Sequence, residues 1–319
     1  MHGNSPPATM RKLILTTSIL LLMASVSNAQ RWKRYRHEVW FGVGATSMLT
    51  ELGGGAEEAQ DLFLDFNGKA SRYAFAGGYR YKLNEVISAR ANLAYAQLRG
   101  SDALSKDPYR QSRNIIVSTP LIELTAVGEL YFIREKINNR YKVRGIKGAL
   151  GSALSAYVVG GIGAFYYNPR GEYNGKMYSL RPLRTEGQGF PGRPDIYSRF
   201  SVCVPMGIGA KFSLNKNLSL TFEYDFRFTL TDYLDDTSTT YYDPTAIADA
   251  NGGVGSEKGD AAAYFSNPRI RVGDVYVGGP DPAGSVQQRG DKTTNDTYMF
   301  AVIGLNYKFV SKKSNRPKF

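Results

Sequence analysis

Apolar and polar residues alternate without a break over positions 218–230 near the end of the chain. The even positions carry seven large apolar side chains, and the odd positions carry serine, threonine and three charged residues. A helix would spread both sets around its circumference, whereas an extended strand places each set on its own face. One apolar face and one charged face over about ten residues are typical of the wall of a membrane barrel.

Seven further segments show the same two-residue period. They are 38–47, 72–81, 87–100, 122–132, 155–167, 199–213 and 298–310. With 218–231 they predict eight strands, an even number that suits a closed wall. Paired glycines of one parity, such as Gly207 and Gly209, suit the inner face of a narrow barrel. We therefore predict an all-β fold, an eight-stranded antiparallel up-and-down transmembrane β-barrel.

The connections between these segments fall into two groups. Strands two and three, and strands six and seven, are joined by four residues each, at 82–85 and 214–217, and 133–154 is a medium connection. The other connections, 48–71, 101–121, 168–198 and 232–297, are long. Short periplasmic turns and long extracellular loops are characteristic of outer-membrane barrels. Loop 232–297, rich in Gly, Asp, Ser and Pro, is expected to be partly disordered or to fold over the mouth.

The first 29 residues predict export. Arg11 and Lys12 precede the apolar run 13–24, and Ser27-Asn28-Ala29 forms a small-x-small cleavage site. We predict a signal peptide at 1–29, an outer-membrane barrel at 30–310 and a basic periplasmic tail at 311–319. After residue 29 the sequence has no apolar run of about 18 residues, which predicts no membrane-spanning helix. A single cysteine, Cys203, excludes an internal disulfide.

The charge is distributed unevenly along the chain. The formal net charge is +12, or +10 without the signal peptide; the predicted periplasmic pieces sum to +15 and the outer loops to −7. Such a basic rim suits contact with lipid phosphates or docking of an acidic periplasmic partner. Nucleic acid is not an expected partner of an exported chain. The candidate partner-binding residues are Arg31, Lys33, Arg34, Arg36, Lys136, Arg140, Lys142, Arg144, Lys312 and Lys313.

Charged residues also fall on the inward parity of the predicted strands. The basic ones are Arg72, Arg80, Arg90, Lys211 and Arg227, and the acidic ones are Glu38, Glu123, Glu129, Glu223 and Asp225. An eight-stranded barrel is about wide enough to be filled by its own side chains. Buried charges need partners, and the two sets match in number. We therefore predict a structural charge network that plugs the barrel, in preference to a solute path.

The sequence offers little catalytic chemistry. The mature chain retains only His37, which excludes a Ser-His-Asp triad and a histidine metal cluster. We predict no enzyme activity and no cofactor. Asp232, Asp235 and Asp236 form a weak candidate for Ca²⁺, although they lack the spacing and glycine of a calcium-hand loop. Capping of the strand end and of the loop turns is the alternative role.

Several segments together resemble the PorG-like family of outer-membrane barrels associated with the type IX (Por) secretion system. They are Trp32-Lys33-Arg34-Tyr35-Arg36 leading into 41–45, 173–176 through 185–189, 231–236 and Tyr241-Tyr242-Asp243. The resemblance implies an eight-stranded barrel with a basic periplasmic side. It also implies a tether that holds a periplasmic ring, made of a lipoprotein and its partner, at the outer membrane.

Three functions are compatible with these observations. The first is an anchoring component of a type IX-like secretion assembly, embedded in outer-membrane lipids and docking periplasmic partners through the basic rim. The second is a surface receptor or adhesin that uses the long outer loops. The third is a narrow pore for small solutes.

Overall fold

A computed structural model describes residues 34–50, 52, 70–135, 154–272 and 287–310. The predicted signal peptide and basic tail lie outside these residues. The strands are β1 His37–Leu49, β2 Arg72–Lys82, β3 Ile87–Ser101, β4 Ile116–Ile133, β5 Leu154–Tyr167, β6 Arg170–Tyr173, β7 Lys176–Ser179, β8 Phe200–Ser213, β9 Leu218–Thr229 and β10 Thr297–Phe309. The helices are α1 Pro108–Arg113, α2 Pro244–Ala250 and α3 Glu257–Ser266.

The eight long strands form a closed wall. Each pairs antiparallel with the long strands before and after it in the chain, and β1 closes the ring by pairing with β10 from His37↔Phe309 to Leu49↔Thr297. The short strands β6 and β7 pair with each other in a hairpin that lies between β5 and β8 in the sequence, while β5 and β8 pair directly in the wall. This pairing confirms the predicted eight-stranded up-and-down barrel. Its closure leaves the wall without a free edge.

The same local chemistry makes both short turns. In the first, the Asn84 side-chain oxygen accepts hydrogen bonds from the backbone N–H groups of residues 86 and 87, both at 2.7 Å. In the second, Asn215 accepts from residues 217 and 218 at 2.9 and 2.8 Å. Asparagine stabilises tight turns in this way. Both turns lie at the end where the wall begins and ends, because the Lys82 N–H donates to the Arg36 carbonyl and the Lys308 N–H to the Asn217 carbonyl.

The two faces of the wall differ as the alternation predicts. On β9, Leu220, Phe222 and Phe228 are exposed, whereas Thr221 and Glu223 between them are buried. The same arrangement holds along β4, where Ile122 and Leu124 point outward. An apolar outer surface on a closed barrel satisfies the two conditions that lipid imposes, paired backbone groups and apolar side chains.

β4 is longer than predicted. It begins at Ile116 and not at residue 122, so the preceding loop is shorter than 101–121. The outward positions of this added segment include Ser118 and Pro120, which hide the alternation. Both residues nevertheless pair with β3, Arg99↔Ser118 and Gln97↔Pro120.

The described parts of the long loops fold into an outer cap. Its core contains Ile115, which precedes β4, and Val117 of β4, together with Leu180, Leu183, Ile247, Ala261 and Phe265, all buried. Asp243 caps α2 by accepting from the Thr245 N–H at 2.9 Å, and Ser256 caps α3 by accepting from the Gly259 N–H at 3.0 Å. Neither the helices nor the β6–β7 hairpin was predicted. Loop 232–297 was expected to be partly disordered or to fold over the mouth, and its described residues fold over the mouth.

The cap also closes the outer end of the barrel. Leu234 is fully buried among barrel residues such as Tyr167 and Tyr298, and the inward-facing Thr119 hydroxyl donates to its carbonyl at 2.8 Å. The Leu234 N–H donates to the Asp296 carboxylate at 2.8 Å. None of the helices in the described ranges is long and apolar enough to cross a membrane.

Candidate functional site

The lumen of the barrel holds a charge network that is balanced over the described residues. Its six basic members are Arg80, Lys82, Arg90, Lys211, Arg227 and Lys308, and its six acidic members are Glu38, Glu123, Glu129, Glu135, Glu223 and Asp225. All twelve side chains are at most 7 % exposed. Nine of the ten lumen charges proposed from strand parity are among them.

Glu38 organises the periplasmic half of the lumen. Its carboxylate lies 3.0 Å from Arg80 Nη1, 2.9 Å from Lys211 Nζ and 3.4 Å from Lys82 Nζ. These three cations come from β2 and β8, so they approach the carboxylate from different sides of the barrel. Sharing one carboxylate among several cations offsets part of the cost of removing the charges from water.

A second carboxylate, Glu135, lies just beyond β4 at the periplasmic mouth. It is 2.5 Å from Lys82 and 3.6 Å from Lys211, and it also contacts Lys308. The charge sum of the predicted periplasmic pieces includes Lys82 and Lys308, but both side chains are buried. Both occupy inward positions at strand ends, where their side chains turn into the lumen to reach Glu135.

The middle of the lumen continues the network through Arg80 and Arg90. Glu129 is 2.7 Å from Arg80 Nε and 3.2 Å from Arg90 Nε, and Arg90 Nη2 is 2.5 Å from Glu223. The Tyr157 hydroxyl donates to Glu223 at 2.6 Å. Arg90 also lies 4.9 Å from the centre of the ring of Trp40, a cation–π contact.

The extracellular half has its own group of charges. Arg227 Nε is 3.3 Å from Glu123, and Arg227 also pairs with its neighbour Asp225. The Tyr298 hydroxyl donates to Glu123 at 2.5 Å, and the Arg227 guanidinium lies 4.1 Å from the centre of the Phe300 ring. Protein side chains therefore occupy the lumen from the periplasmic mouth to the outer end.

Glycine on the inner wall makes room for the large side chains of the lumen. A methyl group at Gly209 would overlap the ring of Tyr157, which is fully buried. At Gly42 a methyl group would come within 2.6 Å of Val302 Cγ1 and 2.9 Å of the Trp40 ring. Small and large residues thus interdigitate across the lumen, as in other close-packed interiors.

The tenth proposed lumen residue, Arg72, does not join the lumen ion pairs. It is the first residue of β2, at the outer end of the wall, and it is half-buried. Its Nη1 donates to the Ser71 carbonyl at 2.8 Å. The strand parity is inward at this position, but the wall ends there and the side chain lies at the rim.

The structure describes only two residues of the predicted partner-binding rim. Arg34 is exposed, and Arg36 donates to the Tyr81 hydroxyl at 3.1 Å with its guanidinium 5.9 Å from the centre of that ring. The remaining members lie outside the described residues: Arg31, Lys33, Lys136, Arg140, Lys142, Arg144, Lys312 and Lys313.

The aspartates proposed for calcium are engaged in the outer cap. Asp236 accepts from the Thr185 hydroxyl at 2.5 Å and the Tyr197 hydroxyl at 2.6 Å, and Asp235 accepts from the Thr237 N–H at 3.0 Å. Burial raises the pKa of Asp235 and of Asp236 to about 6, and that of Asp232 to about 7. Within the described ranges, His, Cys, Asp and Glu residues form no group of three or more suited to a metal ion.

Two ion pairs in the cap have no signal in the sequence. Arg289 Nη1 lies 2.9 Å from Glu186 and donates to the Asp236 carbonyl at 2.5 Å. Burial opposes the charge of Arg289, but Glu186 and Asp236 outweigh it, so its pKa is raised. In the second pair, Arg113 Nη2 is 2.7 Å from Asp102. Arg289 and Glu186 are 103 residues apart, and only the folded cap brings them together.

The closed wall, the apolar outer surface and the filled lumen define an eight-stranded outer-membrane β-barrel with a folded outer cap. Among solved structures, Ail of Yersinia pestis matches with a TM-score of 0.36 at 12% identity, over 86% of this chain and 99% of that chain. OprG of Pseudomonas aeruginosa matches with a TM-score of 0.37 at 11% identity, over 87% and 98%. Neisserial surface protein A matches with a TM-score of 0.36 at 10% identity, over 86% and 97%.

At TM-scores this low the similarities carry no functional meaning, and the fold rests on the strand pairing itself. No protein-family model matches the chain, and no curated protein matches its sequence. Membership of the PorG-like family therefore stays a prediction.

Proposed function

We propose that the protein is a non-conducting anchor of the outer membrane that binds a partner at its periplasmic end. The balanced charge network that fills the lumen is the observation that carries this proposal. Because six cations and six carboxylates are paired inside the barrel, they offer neither an open path nor an unpaired charge for a solute. The working surfaces are then the two ends, and no catalytic chemistry is part of the proposal.

The excess positive charge favours the periplasmic end. With the lumen neutral, the described basic residues outside it at this end are Arg34, Arg36, Arg134 and Lys216, and the sequence predicts further basic residues here at 31–33, 136–153 and 311–319. Such a surface suits an acidic periplasmic partner, because complementary charge steers association and fixes orientation. The resemblance supplies the finest form of the proposal: the partners are the ring lipoprotein of a type IX-like secretion assembly and its own partner.

Co-purification tests this proposal. The full chain and the variant Arg34→Glu/Arg36→Glu are isolated from outer membranes in neutral detergent, and the captured proteins are quantified by mass spectrometry. The variant is expected to lose a periplasmic partner that the wild type retains, and secretion is expected to fail when the gene is deleted. The matched control Lys258→Glu/Lys292→Glu makes the same charge change at exposed residues of the outer end. Equal capture by all three proteins would refute the docking surface.

A surface receptor is the second candidate, and the packed outer cap favours it. The cap has its own buried core and a cavity of about 290 Å³. Loops that only connect strands need neither of these features. Replacing 244–292 by a short Gly-Ser linker separates the two functions. Loss of surface binding with normal secretion would favour the receptor, and the reverse would favour the anchor.

Conductance distinguishes both candidates from the narrow pore. Protein inserted into planar bilayers is expected to give no stable single-channel current, because side chains occupy the lumen along its length. A stable conductance that changes with substitution of Arg90 or Glu223 would overturn the non-conducting barrel.

A further inference from the structure

The outward face of the wall changes from apolar to polar near the outer ends of β3 and β4. On β3, exposed Leu93 and Tyr95 are followed by Gln97, and the Gln97 amide donates to the Ser118 hydroxyl of β4 at 2.7 Å. Tyrosine is enriched where the hydrocarbon of a membrane meets the headgroups. The hydrocarbon boundary of the outer leaflet therefore lies between Tyr95 and Gln97, and the residues above it face lipid headgroups.

Two arginines flank Ser118 directly above this boundary. Arg99 of β3 and Arg170 of β6 both stand opposite Ser118 in the strand register, one on each side of β4. Side chains at paired positions share a face of the sheet, so both arginines point outward with Ser118. Neighbouring strands are about 4.8 Å apart, which puts the two arginine backbones about 10 Å apart. Neither arginine forms an ion pair with any described residue, and Arg170 is exposed.

The cavity of the outer cap opens beside Arg99, Ser118 and Arg170. Its lining includes Arg99 and Ile116 of the wall, Glu172 and Asn174 of the hairpin, Tyr264 of α3, and Arg289. Ile116 is 44 % exposed on the lipid side, so the lining runs from the outer wall to the inside of the cap. Glu172 is the one carboxylate of this lining, and it is exposed.

Arg289 lines the cavity and has an unused donor. Its side chain is 1 % exposed, and its two terminal nitrogens donate to Glu186 and to the carbonyls of Asp236 and Phe265. Its Nε is buried and has no hydrogen-bond partner in the described part of the chain. A buried donor without an acceptor is costly, and a ligand oxygen in the cavity would remove that cost.

We infer that Arg99, Ser118, Arg170 and the adjoining cavity form a binding site for a phosphate-bearing lipid of the outer leaflet. The phosphate lies between Arg99 and Arg170, because guanidinium groups bind phosphate through paired, charge-assisted hydrogen bonds. Oxygen atoms of the headgroup enter the cavity towards Arg289. The acyl chains lie along the exposed apolar side chains below the boundary, such as Leu93 and Leu124.

The lipid-facing position decides between a lipid and a soluble anion. Both arginines stand on the outside of the wall, next to the apolar band, where an acyl chain and a phosphate are reached together. An aqueous phosphate would gain nothing from that band. The exposed carboxylate of Glu172 further disfavours a small anion that lacks apolar contacts.

Native mass spectrometry of the full chain in neutral detergent tests this site. The probes are lipid A, which carries two phosphates, its dephosphorylated form and inorganic phosphate. The wild type is expected to retain one lipid A molecule and to bind the dephosphorylated form at least about tenfold more weakly, the loss of about one charge-assisted interaction. The variant Arg99→Gln/Arg170→Gln is expected to lose lipid A to a similar extent.

Two further variants make the outcome decisive. Lys258→Gln/Lys292→Gln removes the same charge from exposed residues of the same outer end and should bind lipid A like the wild type. Arg99→Lys/Arg170→Lys keeps the charge but not the paired geometry, so it should bind with intermediate affinity, and it serves if the glutamine variant does not fold. Equal binding of lipid A by both pairs of neutral variants would overturn the site. Equal binding of the dephosphorylated lipid, or capture of inorganic phosphate without lipid, would overturn it as well.

Discussion

Replacing Arg80 with methionine is expected to lower the free energy of unfolding by about 3 kcal/mol. Arg80 is fully buried and contacts Glu38 at 3.0 Å, Glu129 at 2.7 Å and Asn306 at 2.8 Å. Removing one partner of a buried ion pair costs roughly 3–5 kcal/mol, because the remaining charge stays buried. Glu38 keeps Lys211, and Glu129 keeps Arg90, so the expected loss lies at the lower end of that range.

Equilibrium urea unfolding of the full chain in lipid vesicles measures this change. With Trp32 replaced by phenylalanine in every variant, tryptophan emission reports on the lumen, because Trp40 is 6 % exposed and packs against Arg90. Arg34→Met, a change at an exposed rim residue, should stay within about 0.5 kcal/mol of the wild type.

A double-mutant cycle isolates the ion pair. In Arg80→Met/Glu129→Gln the carboxylate that has lost Arg80 is neutral, so the double variant should be less destabilised than the sum of the single variants by about 1–3 kcal/mol. If Arg80→Met is as stable as Arg34→Met, or if the cycle shows no coupling, the lumen charges are solvated in water and the network does not hold the barrel together.

Three other outcomes follow from packing and burial. Gly209→Ala should destabilise the barrel by about 1–3 kcal/mol, because the new methyl group overlaps the Tyr157 ring, whereas Gly128→Ala, with 3.9 Å to the nearest atom, should be neutral in the same urea titration. Burial raises the pKa of Asp236 to about 6, so below pH 6 the folded cap binds a proton that the unfolded chain lacks. Between pH 7 and pH 5 Asp236 should therefore contribute about 1 kcal/mol to a gain in cap stability, measured by hydrogen exchange corrected for intrinsic rates. Asp236→Asn should lower the gain by about that amount, because Asp232 and Asp235 keep their own contributions, and an unchanged gain in that variant would contradict the assignment. Cys203 is fully buried, so a water-soluble maleimide should label it only after unfolding; rapid labelling of the folded barrel would contradict the filled lumen.

The wall was readable from the sequence because its period has a simple physical cause. On β9 outward residues such as Leu220 and Phe222 meet lipid, and inward residues such as Thr221 and Glu223 meet the lumen, so two environments alternate along the strand. β4 shows where this reading fails. At Ser118 and Pro120 the outward face has left the hydrocarbon, the alternation loses its cause, and the strand continues on backbone pairing alone.

The lumen charges were predictable in position but not in pairing. Parity brings Arg90 and Glu223 to the inner face, but their 133-residue separation in the chain hides their contact at 2.5 Å. Glu135 lies just beyond a strand, where no period identifies its direction. The cap was not predictable for the same reason, since its core joins β4, residues near 180 and α3 through contacts that leave no local pattern.

The lumen contacts also explain how the wall keeps its register. Arg80 on β2 reaches Glu129 on β4 past β3, while Lys211 on β8 reaches Glu38 on β1 across the barrel. A one-residue slip of any of these strands would turn its charge towards lipid, where an unpaired charge is costly, and would leave its partner alone in the lumen. The network thus penalises a one-residue shift of register at both faces of the wall. A barrel fixed in this way holds its rim and its cap at defined positions on opposite sides of the membrane, as the proposed anchoring role requires.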